Sequence, residues 1–140
     1  MKQIPVIFWT GTGNTQMMAD AVAEAINAAG AEAVVKNISE ITADEAAGYD
    51  ALALGCPAMG AEVLEECEFE PFFTELEGKL AGKKVALFGS YGWGGSYMQD
   101  WEARVKDAGA TLVADGVLAL GAPDDEAMAK LAEAGKLLAE

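Results

Sequence analysis

The chain has 140 residues, the length of one ordinary domain, and 52% of them are hydrophobic, which excludes intrinsic disorder. It carries 23 acidic and 9 basic residues, and the resulting formal charge of −14 argues against binding to nucleic acid or to anionic membranes. It has no histidine, which excludes Ser–His and Cys–His nucleophiles. No apolar run approaches the length of a membrane span and no secretory leader opens the chain, so we expect a soluble, cytoplasmic protein.

Strands and helices are predicted to alternate along the whole chain. Apolar runs of strand length occur at 4–9, 32–37, 51–55, 84–90 and 111–120. Helical spacing of apolar residues occurs at 18–29, at 43–47, from near Pro71 to about Leu80, at 98–108, and from Asp124 or Asp125 to Leu138. We therefore expect one α/β domain over residues 1–140, doubly wound, with a five-stranded parallel sheet covered by helices on both faces.

Three connections at the carboxyl ends of predicted strands are unlike ordinary loops. They are residues 10–15, 56–62 and 90–95. In doubly wound sheets, ligands bind beyond the carboxyl ends of the strands, at the point where the strand order reverses. With the strand order 2-1-3-4-5, strands 1, 3 and 4 are neighbours, and the three loops converge at one edge of the sheet.

The first of these loops is the strand-to-helix turn Thr10-Gly11-Thr12-Gly13-Asn14-Thr15. Its hydroxyl, amide and backbone N–H groups lie at a helix N-terminus, where a partial positive charge favours an anion such as phosphate. The alternative is a turn that only caps the helix, although one cap needs fewer donors. A Walker A loop is excluded because Gln16 and Met17 stand where it needs the glycine and lysine of its Gly-Lys-Ser/Thr ending.

The other two loops carry side chains that suit a flat ring. Met59, Gly60 and Glu62 lie in the second loop, and Trp93 stands between glycines in the third. A thioether and an indole would form two walls around an aromatic heterocycle, and a carboxylate would accept a hydrogen bond from an N–H on its edge. Core packing for Met59 and a solvated charge for Glu62 are the alternatives. A heterocycle on a phosphorylated tail is the predicted ligand.

The two cysteines predict no metal site. Cys56 and Cys67 are separated by ten residues, which fits neither a zinc site nor a C-x-x-C motif. Cys56 ends an apolar run, so we expect it to be a small buried side chain.

The three loops together resemble those of the short-chain bacterial flavodoxin family, and the resemblance covers the full length of the chain. The first loop matches the phosphate signature of that family, and residues 55–60 with Glu62 and residues 89–94 match its two flavin loops. The fifth strand has no long insertion, which is similar to the short-chain branch. The chain departs from the family pattern at Pro57, where some members have a hydroxyl residue, and at Ala61, which is often polar.

This resemblance implies a flavodoxin-like fold and non-covalent binding of FMN. The implied FMN-binding residues are Thr10, Gly11, Thr12, Gly13, Asn14, Thr15, Pro57, Ala58, Met59, Gly60, Glu62, Ser90, Tyr91, Gly92, Trp93 and Gly94. Within this set, the threonines and the asparagine of the first loop would hold the phosphate. Met59 and Trp93 would flank the isoalloxazine ring, and Glu62 would accept a hydrogen bond from the ring N3–H. The Met59–Gly60 peptide would turn its carbonyl toward flavin N5.

The resemblance also implies a low-potential, one-electron carrier that shuttles electrons between redox enzymes through the semiquinone/hydroquinone couple, without a substrate of its own. An acidic cluster, Glu62, Glu65, Glu66, Glu68 and Glu70, follows the second loop directly. It would dock basic sites on reductases and low-potential oxidoreductases, and a solvated helix face is the alternative. We expect a monomer.

Two other classes of function remain open at this point. A flavin enzyme such as a quinone reductase would turn over NAD(P)H or quinone without a partner. A flavin-free binding module would show no flavin absorbance after reconstitution with FMN.

Overall fold

The structure is a computed structural model that describes residues 3–9, 13–56, 68–91, 97–120 and 123–139. Its strands are β1 (Gln3–Phe8), β2 (Glu32–Asn37), β3 (Ala51–Gly55), β4 (Lys84–Tyr91), β5 (Thr111–Leu112) and β6 (Val117–Leu120). Its helices are α1 (Asn14–Ala28), α2 (Ala43–Ala46), α3 (Phe69–Glu77), α4 (Tyr97–Asp107) and α5 (Asp125–Ala139). A 3₁₀ turn, Ile38–Glu40, follows β2.

The sheet is parallel, and its strands run in the order β2-β1-β3-β4-β5, with β6 also paired to β4. The predicted order 2-1-3-4-5 is confirmed. Every residue of β3 is buried, as is expected of a central parallel strand covered on both faces.

The predicted fifth strand is interrupted in the structure, so the prediction of one continuous strand over 111–120 is wrong. Its two ends, β5 and β6, each pair with β4, but the backbone between them leaves the ladder. There the N–H of Gly116 donates to Oε2 of Glu102 on α4, at 2.6 Å. A Cβ at Gly116 would overlap the Met98 side chain. Contacts with α4 thus compete with strand pairing at this point.

Helices cover the two faces of the sheet in separate groups. Ile4, Val6 and Phe8 of β1 pack with α1 and α5 on one face. Ile7 of the same strand packs with α3 and α4 on the other face. Because successive side chains of a strand point to opposite faces, one apolar run supplies both cores. The prediction of a doubly wound α/β fold is confirmed.

The third predicted helix, expected to have Pro71 near its start and to run to about Leu80, ends earlier than that. In the structure α3 spans Phe69–Glu77, so the expected place of Pro71 is confirmed. Pro71 is in the first turn of α3, where backbone N–H groups have no intrahelical acceptor, so the N–H that proline lacks costs no hydrogen bond. Gly78 follows the last helical residue, and the N–H of Lys79 donates to the Leu76 carbonyl at 2.8 Å, which closes the helix.

Trp101 on α4 is a core residue with 1% of its surface exposed. Its ring meets Phe69 and Phe73 of α3 edge-on, with centroids 5.4 and 5.8 Å away. Edge-to-face pairs of this kind stabilise the contact beyond the area that they bury. The packing fixes α4 against α3. Of these two helices, α3 follows the second predicted loop and α4 follows the third.

Candidate functional site

The strands that precede the three predicted loops end side by side. In the sheet register Phe8 of β1 lies opposite Gly55 of β3, and Gly55 lies opposite Phe88 of β4. The N–H of Trp9 donates to the Gly55 carbonyl at 3.0 Å, and the N–H of Cys56 donates to the Phe88 carbonyl at 3.1 Å. The residues that flank the three loops therefore meet at one edge of the sheet.

Most of the loop residues themselves lie outside the part of the chain that the structure describes. Of the predicted FMN-binding residues, Gly13, Asn14, Thr15 and Ser90 are described, together with the backbone of Tyr91. The predicted roles that lie outside the described residues are those of Thr10, Gly11, Thr12, Pro57, Ala58, Met59, Gly60, Glu62, Gly92, Trp93 and Gly94.

The described part of the first loop fits an anion. Gly13 has φ +93° and ψ −12°, and it precedes α1 without a side-chain cap. A residue other than glycine would be strained there. The first turn of α1 contains no acidic side chain. Since the first N–H groups of a helix have no intrahelical acceptor, this end of α1 offers donors and a partial positive charge to a phosphate.

Two buried hydroxyl groups join this turn to the end of β4. Thr15 is the second residue of α1, and its Oγ1 lies 3.3 Å from the Oγ of Ser90. Thr15 has 1% and Ser90 has 6% of its surface exposed. The structure thus brings together two predicted site residues that are 75 positions apart in the sequence.

A second link, which sequence reasoning missed, joins the ends of β3 and β4 to α4. The buried Tyr97 hydroxyl donates to the Cys56 carbonyl at 2.8 Å. A Cβ at Gly89 would overlap both the Tyr97 hydroxyl and the Cys56 carbonyl oxygen. Cys56 is buried, as predicted. The signal in the sequence was Gly89, because a glycine inside a strand often marks a close approach.

The described members of the acidic cluster contact other residues of the chain. Oε1 of Glu68 accepts a hydrogen bond from the indole N–H of Trp9, at 3.2 Å. Glu70 forms a bidentate pair with Arg104 of α4, with distances of 2.8 and 2.9 Å. Arg104 also donates to both carboxylate oxygens of Glu77. The remaining members of the cluster, Glu62, Glu65 and Glu66, lie outside the described residues.

These contacts change the protonation of the paired groups. The hydrogen bond from Arg104 lowers the pKa of Glu70 below its ordinary value of 4.5, although burial acts in the opposite direction. Burial opposes the charge on Arg104, but hydrogen bonds to Glu70 and Glu77 outweigh it and raise the pKa of the guanidinium. The pair therefore stays charged at neutral pH and ties α3 to α4.

Over the ranges that the structure describes, no helix is long and apolar enough to cross a membrane. The same residues include no group of three or more cysteine, aspartate or glutamate side chains placed to hold a metal ion.

Comparison with known proteins gives one consistent family. Residues 6–135 match the family model described as flavodoxin. The flavodoxin of Clostridium beijerinckii is 47% identical over 135 residues, which cover 96% of this chain and 97% of that protein. The flavodoxin of Megasphaera elsdenii is 47% identical over 116 residues, or 82% of this chain and 85% of that protein.

The fold is similar to that of a solved relative as well. The solution structure of two-electron reduced Megasphaera elsdenii flavodoxin superimposes with a TM-score of 0.89 at 43% identity. The superposition covers 97% of this chain and 98% of that one.

Proposed function

The chain belongs to the flavodoxin family, and from that premise we infer that it binds FMN non-covalently and carries electrons one at a time between redox enzymes. It is an electron-transfer protein without a substrate of its own. Bound FMN supplies the redox chemistry, and the protein supplies binding, orientation and the electrostatic surroundings.

One observation of the structure carries this proposal. The ends of β1, β3 and β4 lie side by side, and the acid-free N-terminus of α1 stands beside them with the Thr15 and Ser90 hydroxyls. This is the arrangement that a phosphorylated ligand needs at the carboxyl edge of a parallel sheet. Because the described donors are neutral or partial charges, they favour phosphate by geometry rather than by net charge.

The roles of the individual loop residues are part of the same proposal. Residues 10–15 hold the phosphate, and the second and third loops hold the ring between Met59 and Trp93. Glu62 accepts from the N–H edge of the ring. The two walls exclude water from the ring faces, while its edge stays open to electron exchange. We propose that residues 1–140 form one flavodoxin-like domain around this site.

Titration of the apoprotein with FMN tests the proposal. We expect saturation at one FMN per chain, a shifted flavin spectrum and quenched flavin fluorescence. Met59→Ala should weaken FMN binding by up to about tenfold, because it removes a sulfur–ring contact. Met128→Ala is the matched control, since Met128 is 40% exposed, lies beside Ala25 and Ala28 of α1 and belongs to none of the three loops, so its loss should leave binding unchanged. Equal effects of the two substitutions would remove Met59 from the site, and absence of saturation would refute FMN binding itself.

The redox part of the function has its own test. Dithionite titration of the FMN-loaded protein should resolve two separate one-electron steps. Steady turnover of NAD(P)H or quinone by the purified protein would identify a flavin enzyme instead.

Partners, location and assembly complete the proposal. The net charge of −14 favours basic docking sites on reductases and low-potential oxidoreductases. We propose a cytoplasmic monomer, which cell fractionation and size-exclusion chromatography of the FMN-loaded protein test directly.

A further inference from the structure

Thr15 and Ser90 are two polar side chains that lie buried beside each other in the described part of the chain. Thr15 lies in the first turn of α1, and Ser90 is the last residue but one of β4. Burying two hydroxyls costs desolvation free energy that two apolar side chains of the same shape would not cost. Packing alone therefore does not explain this pair.

The Thr15–Ser90 pair has one hydroxyl proton to donate to a third group. The two hydroxyls carry two protons, and the contact between them at 3.3 Å uses one. The other proton is left for an acceptor beyond the pair. Of the two oxygens, that of Thr15 belongs to the first turn of the helix, where an anion is favoured.

The direction of the contact follows from the strength of the acceptors. A hydrogen bond to a charged phosphate is about twice as strong as one between neutral hydroxyls. With a phosphate at this turn, the stronger acceptor takes the Thr15 proton, which leaves Ser90 as the donor to Thr15. A hydroxyl that donates to an anion also becomes a better acceptor, so the two bonds strengthen each other.

We propose that Ser90 is a positioning residue for phosphate recognition, which acts by donating its hydroxyl proton to Thr15 and so aims the Thr15 proton at the phosphate. This inference rests on the proposed FMN binding and goes beyond it, because it assigns the Ser90 side chain to Thr15 rather than to the cofactor. It also couples two loops, since Thr15 ends the first predicted loop and Ser90 begins the third, at the end of β4.

A double-mutant cycle read with two ligands tests the proposal. Dissociation constants for FMN and for riboflavin, which lacks the phosphate, are measured by fluorescence quenching on the wild type, Ser90→Ala, Thr15→Val and the double variant. Ser90→Ala should weaken FMN binding by roughly three- to tenfold, the size of one neutral hydrogen bond, and leave riboflavin binding unchanged. Thr15→Val should weaken FMN binding by roughly tenfold to a hundredfold, the size of one charged hydrogen bond.

The double variant gives the decisive result. If Ser90 acts through Thr15, Ser90→Ala adds no further loss of FMN affinity in the Thr15→Val protein, but it still costs affinity in a Thr15→Ser protein, which keeps the hydroxyl. Additive losses in the cycle would overturn the proposal, because Ser90 would then act on its own. An equal loss of riboflavin affinity would also overturn it, because the effect would then come from the ring loop.

Two controls separate this inference from others. Thr111→Ala removes an exposed hydroxyl at the opposite edge of the sheet and should change neither constant. A wild type that binds neither ligand would refute the proposed function. If the wild type binds FMN more tightly than riboflavin and Ser90→Ala has the same two dissociation constants, only the role of Ser90 is refuted and the proposed function stands.

Discussion

Gly89 of β4 lies against Cys56 at the end of β3 and Tyr97 at the start of α4. A Cβ at this position would overlap the Tyr97 hydroxyl and the Cys56 carbonyl oxygen, which are hydrogen-bonded to each other. One of the two overlapping atoms belongs to the backbone, so a rotamer change does not relieve the overlap. A Cβ at Gly89 would disturb the Tyr97–Cys56 hydrogen bond, which ties the first residue of the second loop to the first residue of α4.

Gly89→Ala should therefore destabilise the protein by about 1–3 kcal/mol, the usual cost of overpacking a close contact. Gly78→Ala is the matched control. Gly78 follows α3 with φ −72° and has open space around its Cβ position, so alanine there should be neutral or slightly stabilising. Urea unfolding of the three proteins measures the difference, and equal midpoints for both variants would contradict the crowding at Gly89.

At the scale of elements, α3 and α4 are held together by a charged group beside an aromatic contact. Arg104 of α4 reaches two glutamates of α3, and its guanidinium lies 4.7 Å from the centroid of the Phe73 ring. About a third of each of the three charged side chains is exposed, so solvent weakens the pairs without removing them. The result is a clamp between the helices that follow the second and third loops.

Arg104→Met should destabilise the protein by about 1 kcal/mol at neutral pH. Pairing with Arg104 lowers the pKa of Glu70. The pair therefore adds to the free energy of unfolding above pH 4.5, the ordinary pKa of the carboxyl group, and this addition is lost as the pH falls below that value. The stability difference between wild type and variant should therefore shrink in acid. Urea unfolding across pH 7 to 3 measures it, at intervals of about one pH unit.

Lys130→Met is the control for that experiment. It breaks the exposed pair between Lys130 and Glu126 on one helix, with an N···O distance of 3.4 Å. Such a pair stabilises a helix by at most about 0.5 kcal/mol. If the Arg104→Met difference stayed constant through the acid range, the contact would owe its strength to packing on Phe73 and not to the ion pairs.

Across the whole molecule, the sequence predicted the features that depend on local pattern. Apolar runs located the strands, and their alternation with helices predicted the parallel sheet. The order 2-1-3-4-5 was assumed and does not follow from the alternation. The interruption before β6 was not predictable, because it depends on Gly116 meeting Glu102 and Met98 of another element. The Tyr97–Cys56 hydrogen bond and the Arg104 clamp were missed for the same reason, since each joins residues far apart in the sequence.

The candidate site was predictable as three loops at one edge, but not as a network. Thr15 and Ser90 were each assigned to the cofactor, and nothing in their local sequences indicated that they contact each other. Glu68 and Glu70 were grouped with a docking surface by composition alone. Their hydrogen bonds to Trp9 and Arg104 depend on how α3 packs, so they could be found only in the folded molecule.

The charge of the whole molecule gives a prediction for electron transfer. Glu65 and Glu66 follow the second loop and belong to the acidic cluster that we propose docks basic partners. The double variant Glu65→Gln/Glu66→Gln should slow reduction by a basic partner by a few-fold at low salt. The difference should vanish near 1 M salt, where screening acts over about 3 Å. Stopped-flow rates over a range of ionic strength measure it.

Asp50→Asn/Asp107→Asn changes the net charge by the same amount at the opposite edge of the sheet. Asp50 precedes β3 and Asp107 ends α4, and both are exposed. This variant should leave the rate close to that of the wild type. Equal slowing by both double variants would mean that total charge, and not a local patch, governs the encounter.

The interruption between β5 and β6 has a practical consequence. Each half is hydrogen-bonded to β4 on its own, and Asp115 in the gap is exposed. Extra chain inserted between Ala114 and Asp115 would leave both pairings in place, because neither half depends on the other for its register. The molecule therefore has an internal attachment point for a fluorescent label or an immobilising tag, on the side of β4 that does not pair with β3.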